Sequence, residues 1–167
     1  MNIEQEIGGW DGKSTSKIKA IYRLYGNDDL FSSTVIQLTK QPALQKATTW
    51  LLKHHFENDH KLGLRDTRKL LNLLPKLEHW EARLHILQCM PYLPMAKPEK
   101  KQVVLFLRCC LTDHNKFARA WAYSGFYELS IQYPEFRKEA MQFFDMAEKD
   151  EAPSVKARIR NVMKKVL

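Results

Sequence analysis

Glycine and proline are scarce in this chain, six and seven among 167 residues. The glycines lie largely outside the segments with apolar periodicity. That favours helices over a sandwich of short strands, which needs turn residues at regular intervals. Cysteine is scarcer still: Cys89, Cys109 and Cys110 are the three present. An odd count with two neighbours and no C-x-x-C spacing does not make a disulfide framework. No stretch approaches the ~20 apolar residues of a membrane span. The opening MNIEQEIGGW carries acids and no apolar run, so no signal peptide is expected. A soluble, reduced, cytoplasmic protein is the expectation. Nor is there a glycine-rich loop to hold a phosphate, or a serine in a G-x-S-x-G setting. No catalytic residue, cofactor or metal is expected.

What is present is globular. Hydrophobic residues make up 44% and aromatics 11%, so a core can form and wholesale disorder is excluded. The net charge of +8 is unevenly placed. Residues 1–60 balance seven Lys/Arg against seven Asp/Glu, whereas residues 61–167 hold 20 basic and 12 acidic side chains. A basic half is compatible with nucleic acid, an acidic protein or an anionic lipid, and equally with a plain solvated surface.

Taken in order, residues 1–13 are polar and glycine-containing and predict a poorly ordered arm, with Trp10 as a possible anchor. Ser14 or Ser16 caps a helix over Lys17–Tyr25, stopped by Gly26-Asn27. Helices are then expected from Asp28 or Asp29 to about Thr39, over about 42–57, over Leu64–Leu74 and over Glu78–Met90. Others run from Lys97 or Glu99 to Leu111, from Asn115 to about Gln132, over 135–149 and over 154–167. Pro42, Pro75, Pro134 and Pro153 break or open these segments.

The second helix of each pair carries a common register. LQKATTWLL, HWEARLHIL, FARAWAYSG and SVKARIRNV each place alanine fourth: Ala47, Ala82, Ala120 and Ala157, spaced by 35, 38 and 37 residues. Periods of this size indicate a helical-repeat array. Two places on stand Thr49, Leu84, Ala122 and Ile159, and five places on stand Leu52, Leu87, Gly125 and Val162. These fall near one helix face, which should pack on the first helix of the pair. The alanine is read as the small residue that lets another helix approach closely.

Paired helices of this length resemble HEAT repeats. The likeness is closest at Leu111 to Ala122, where L-T-D-x4-A-R-A-W-A sets an aspartate six residues before an arginine. Asp150 with Val155-Lys156 is similar. The resemblance implies an all-α fold: a right-handed α-α superhelix of about four HEAT-like pairs over 28–167 with an N-terminal capping helix. The units are about 28–60, 61–93, 97–132 and 134–167, after an arm and cap over 1–27. It also implies a structural ladder of Asp113, Arg119, Asp150 and Lys156 between neighbouring repeats. Lys40, Pro75 and Glu81 depart from that pattern in the first two units.

HEAT arrays mostly serve as interaction surfaces, so the resemblance implies a binding or adaptor role for a protein partner. One place before the alanine and three after, the second helices carry Lys46 and Trp50, Glu81 and His85, Arg119 and Tyr123, Lys156 and Arg160. Lys53, Gln88 and Phe126 extend the row, and Arg158 adds to its basic end. The candidate binding residues are therefore Lys46, Trp50, Lys53, His85, Tyr123, Phe126, Arg158 and Arg160. Bases interleaved with aromatics suit an acidic protein segment or, alternatively, nucleic acid, where cations meet phosphates and rings stack on bases.

A second, partial resemblance is to the HEAT-like alkylpurine DNA glycosylases, through Phe117-Ala-Arg119 and Trp80-Glu-Ala-Arg83. It fails at the acid those enzymes carry beside a tryptophan: the preceding helix here has Asp66 and no tryptophan, and the later stacking tryptophan falls at Ser124. His54, His55 and His60 lack the spacing of four that puts two ligands on one helix face. Glu81 and His85 have that spacing but no third ligand. Cys109-Cys110 sit in an apolar helix and are expected to be buried packing.

Overall fold

The computed structural model describes residues 2–165. Among these residues there are ten α-helices and no strand. The helices are α1 (Ile3–Gly8), α2 (Thr15–Tyr25), α3 (Phe31–Leu38), α4 (Gln45–Glu57) and α5 (Leu64–Leu73). They continue with α6 (Trp80–Cys89), α7 (Lys100–Leu111), α8 (Lys116–Gln132), α9 (Arg137–Asp150) and α10 (Pro153–Met163). The fold is an all-α repeat fold of the HEAT type. Two compact units divide the chain, residues 1–86 and 87–167.

Proline writes the joints between helices. Pro42, Pro75, Pro91, Pro98 and Pro134 each lie at the start of a one-turn 3₁₀ helix. Proline has no N–H to leave unsatisfied at a first turn, and its fixed φ already suits one. A buried glutamine orders one of these joints. The Gln45 amide donates from Nε2 to the Lys76 carbonyl at 3.0 Å and accepts from the Glu78 N–H at 2.8 Å. Gln132 does the same in the second unit, donating to the Leu93 carbonyl at 3.1 Å and accepting from the Met95 N–H at 2.7 Å. An amide matches one donor and one acceptor on a passing main chain.

In the first unit, α3 packs on α4 and α5. The α5 sequence shows why: Thr67, Leu70 and Leu71, with Leu74 just past its end, are buried at helical spacing, while Arg65, Arg68, Lys69 and Asn72 face outward. The arm differs from its expectation. Residues 3–8 are helical, held by a capping box in which Asn2 Oδ1 accepts from Gln5 N–H at 3.0 Å and Gln5 Oε1 accepts from Asn2 N–H at 3.3 Å. Ile7 is buried at 2% exposure. The signal was readable, since Asn-x-x-Gln precedes Ile7, but the following glycines outweighed it. Gly12 takes a positive φ of 72°, and Asp11 Oδ1 caps the turn through the N–H groups of Lys13 and Ser14.

In the second unit, α8 is the centre, packed against α7, α9 and α10. Helices on several sides leave room only for small residues, and Ala118, Ala120, Ala122 and Gly125 are all buried. At Gly125 the approach is closest: a Cβ there would lie 2.5 Å from Leu107 Cδ2 and 3.5 Å from Leu87 Cδ2. Leu107 is fully buried and has little room to yield. Gly125→Ala is therefore expected to destabilise the fold by about 1–2 kcal/mol, overpacking outweighing the gain in helix propensity of about 1 kcal/mol. Urea unfolding measures this, and an unchanged or raised midpoint would show that Leu107 repacks freely.

Candidate functional site

The candidate face on α4 is half-buried. Lys46, Trp50 and Lys53 are all partly exposed, on a helix whose other sides bury Ala47, Thr48, Leu51 and Leu52. Its cations are already engaged. Lys46 Nζ meets Glu81 at 2.6 Å, and Lys53 Nζ meets Glu57 at 2.6 Å. Lys46 also sits 5.8 Å from the centre of the Trp10 ring. Trp50 stacks on His54 at 4.9 Å.

His85 faces inward from this row. Its Nδ1 lies 3.0 Å from Thr49 Oγ1, whose own hydroxyl reaches the Gln45 carbonyl at 2.7 Å. The threonine proton is thus directed at the carbonyl, and the imidazole donates from Nδ1. Burial, then the charges of Lys53 and Lys46, push the His85 pKa down to about 3. It is a neutral packing group at pH 7. His55 is similar: Tyr22 Oη lies 3.0 Å from Nδ1 and Ser32 Oγ 3.3 Å from Nε2. Burial, aided by His60 stacked at 4.2 Å, lowers its pKa to about 4. Among the described residues no group of three or more His, Cys, Asp or Glu is placed to hold a metal ion.

The corresponding face of α8 is closed, which corrects two site expectations. Phe126 has no exposed surface and packs edge-on against Phe143 at 4.9 Å. Tyr123 is 7% exposed, with its ring 6.3 Å from Phe144. The reason is α9, which lays Phe143 and Phe144 over the side of α8 that the sequence register left open. On α8 Phe117 is exposed instead, and Trp121 is half-buried. Arg158 lies flat on Trp121, its guanidinium carbon 3.3 Å from the ring centre. Its Nε is buried without a hydrogen-bond partner, and burial lowers its pKa. Arg160 reaches Glu148 at 3.0 Å. Trp121 was missed as a surface residue, although it occupies the same register place as Arg158 one repeat earlier.

The ladder forms with a different acid. Arg119 makes a two-pronged pair with Glu151, Nε to Oε1 at 2.9 Å and Nη2 to Oε2 at 3.1 Å. Its Nη1 donates to the Asp113 carbonyl oxygen at 2.9 Å. The Asp113 carboxylate accepts from Asn115 N–H at 2.9 Å and so shapes the turn into α8. Asp150 is exposed, and Lys156 Nζ donates to the Lys149 carbonyl at 3.2 Å. Burial raises the Glu151 carboxyl, but the hydrogen bonds and charge of Arg119 outweigh it and hold the pKa below the usual range. Burial and the same carboxylate push Tyr123 up to about 12.

The sequence from residue 11 to residue 166 matches the family model described as a HEAT repeat domain. The chain belongs to the HEAT-repeat family. No match was found among curated proteins or among solved structures.

The HEAT register explains these contacts. Equivalent places on neighbouring second helices meet: Lys46 with Glu81, and Trp121 with Arg158. Where both places are basic, as at Arg119 and Lys156, the arginine turns to Glu151 in the connector instead. Glu81, which breaks the family pattern, is thus the acid that satisfies Lys46. The recurring alanines follow the same logic. Ala47, Ala82 and Ala120 are buried, whereas Ala157 in the last helix is exposed.

The residues of the glycosylase resemblance have other partners. Asp66 lies 3.3 Å from Lys69 on its own helix. Arg83 donates from Nε to the Leu77 carbonyl at 3.0 Å and from Nη2 to the Glu78 carbonyl at 2.8 Å, closing the turn into α6. Trp80 is 39% exposed. Cys109 also departs from expectation: it is exposed, while Cys110 and Cys89 are buried. Adjacent residues on a helix point about 100° apart, so one apolar face cannot take both. No helix among the described residues is long and apolar enough to cross a membrane.

Proposed function

We propose that this HEAT-repeat protein is a non-enzymatic adaptor that binds a protein partner through the open side chains of its second helices. The repeat frame is four helical pairs, about 28–60, 61–93, 97–132 and 134–167, behind an N-terminal arm and cap. One observation carries the preference for protein over nucleic acid: Lys46, Lys53, Arg119 and Arg160 each already hold a carboxylate. A phosphate backbone would have to compete with those acids at every step, and its main driving force is release of counterions from free cations. A protein partner can use the mixed polar rim together with the faces of Trp50 and Trp121.

Nucleic acid is the second reading. Arg158 on Trp121, and Lys116 placed 5.5 Å from the Phe117 ring, put cations beside aromatic faces in the basic half. The two readings separate in a pair of measurements. Affinity capture from the native cell should retain a protein with the wild-type chain and lose it with Trp50→Ala/Lys53→Glu. Fluorescence anisotropy with single-stranded DNA or RNA should give weak binding that Arg158→Glu/Arg160→Glu barely changes. Tight, steeply salt-dependent binding that those reversals abolish would overturn the protein reading in favour of the second.

A further inference from the structure

A groove of about 420 Å³ opens in the second unit. It lies between the end of α8, the start of α9 and Lys165, just past α10. Phe144 and Ala140 form its floor and are 1% and 2% exposed. Ile131 and Met141 stand at its walls, 51% and 36% exposed, which is unusual for large apolar side chains set side by side. Arg137 and Lys165 are its charged lining residues, and both are basic. The Tyr127 hydroxyl donates to the Lys165 main-chain oxygen at 3.3 Å and fixes that rim. Glu128 senses the charge of Lys165 but does not line the groove.

We infer that this groove docks a short amphipathic segment of a partner protein, with apolar anchors flanked by Asp or Glu. Charge selects the occupant. The groove offers no carboxylate to a basic peptide, and two cations at its rim to an acidic one. A second copy of this chain is a poor fit, because its net charge of +8 would be brought against that rim. The apolar floor accepts two or three side chains at helical spacing, and Met141 adapts its shape to them. Lys46, Trp50, Lys53, Trp121, Arg158 and Arg160 do not line the groove, so it is a second surface and stands or falls separately.

The test uses the full chain with isotope-labelled Ile and Met methyl groups, and a fluorescein-labelled synthetic peptide bearing leucines at helical spacing among glutamates. The peptide should shift the Ile131 and Met141 methyl signals saturably and bind more weakly as salt rises. Arg137→Glu, at an exposed position, should weaken binding by about tenfold or more, as reversal of a rim charge that faces an acidic ligand does. Met141→Gln should weaken it also, and Arg160→Glu should leave it unchanged. The inference is overturned if the peptide leaves both methyl signals in place, or if the same peptide with lysine for glutamate binds as well. Shifts caused by decanoate and not by the peptide would overturn it in favour of a small amphipathic acid. Loss of binding in Arg160→Glu but not Arg137→Glu would place the peptide on the second helices and leave the groove without this role.

Discussion

Unfolding free energy is expected to fall by about 2–4 kcal/mol between pH 7 and pH 5, with His55 and His85 each contributing up to about 2 kcal/mol. In the unfolded chain both imidazoles take up protons near pH 6.5. In the folded protein they do so only near pH 4 and pH 3. The unfolded state therefore binds more protons throughout this interval. The stabilisation is complete above pH 6.5 and is lost as pH falls toward 4 and then 3. At His55 burial disfavours the charged ring and His60 stacked on it adds to the effect. His85 meets Thr49 and the charges of Lys53, Lys46 and His79. Glu128, whose carboxyl is raised by burial, acts in the opposite sense. Urea titrations at the two pH values measure the difference, and His85→Gln should remove its share. Equal stabilities at pH 5 and pH 7 would show that both imidazoles are hydrated and protonate normally.

Glu151→Ala should cost about 2–4 kcal/mol, since it removes the two-pronged carboxylate partner of the partly buried Arg119 guanidinium. The two side chains are 23% and 13% exposed, so water screens the pair only in part. Tyr123 loses an acceptor 3.4 Å from its hydroxyl in the same substitution. Asp150→Ala, one residue earlier, should change stability by less than about 0.5 kcal/mol, because its side chain is exposed. A double-mutant cycle of Arg119→Ala with Glu151→Ala isolates the pair itself and should give a coupling above about 1 kcal/mol. A larger loss at Asp150 than at Glu151 would return the ladder to the acid that the family pattern suggests.

These two acids show how far a sequence can be read. Leu111 to Ala122 pointed to the family, and the alanine register aligned four second helices without any structure. Local rules also placed the joints, because proline at a first turn acts through its own φ and its missing N–H. On α4 the register places Lys46, Trp50 and Lys53 on one partly exposed face. The candidate site was not legible on α8. There the same register places carry Tyr123 and Phe126, and Phe143 and Phe144 of α9 cover them. Helical periodicity states which residues share a face, not which neighbour that face meets.

The sequence by itself determined that the chain is helical, that its helices come in pairs, and that the pairs repeat. Each of these rests on local chemistry: spacing of apolar residues, capping, proline, and a small residue returning in register. Tertiary structure alone decided which charges are free. Lys46 has Glu81, Arg119 has Glu151 and Arg160 has Glu148, partners 35, 32 and 12 residues away in the chain. It also decided that the charged residues lining the groove between α8 and α9 are Arg137 and Lys165. Whether a charge is satisfied depends on distances of a few ångströms between residues far apart in sequence, and those distances are set by packing.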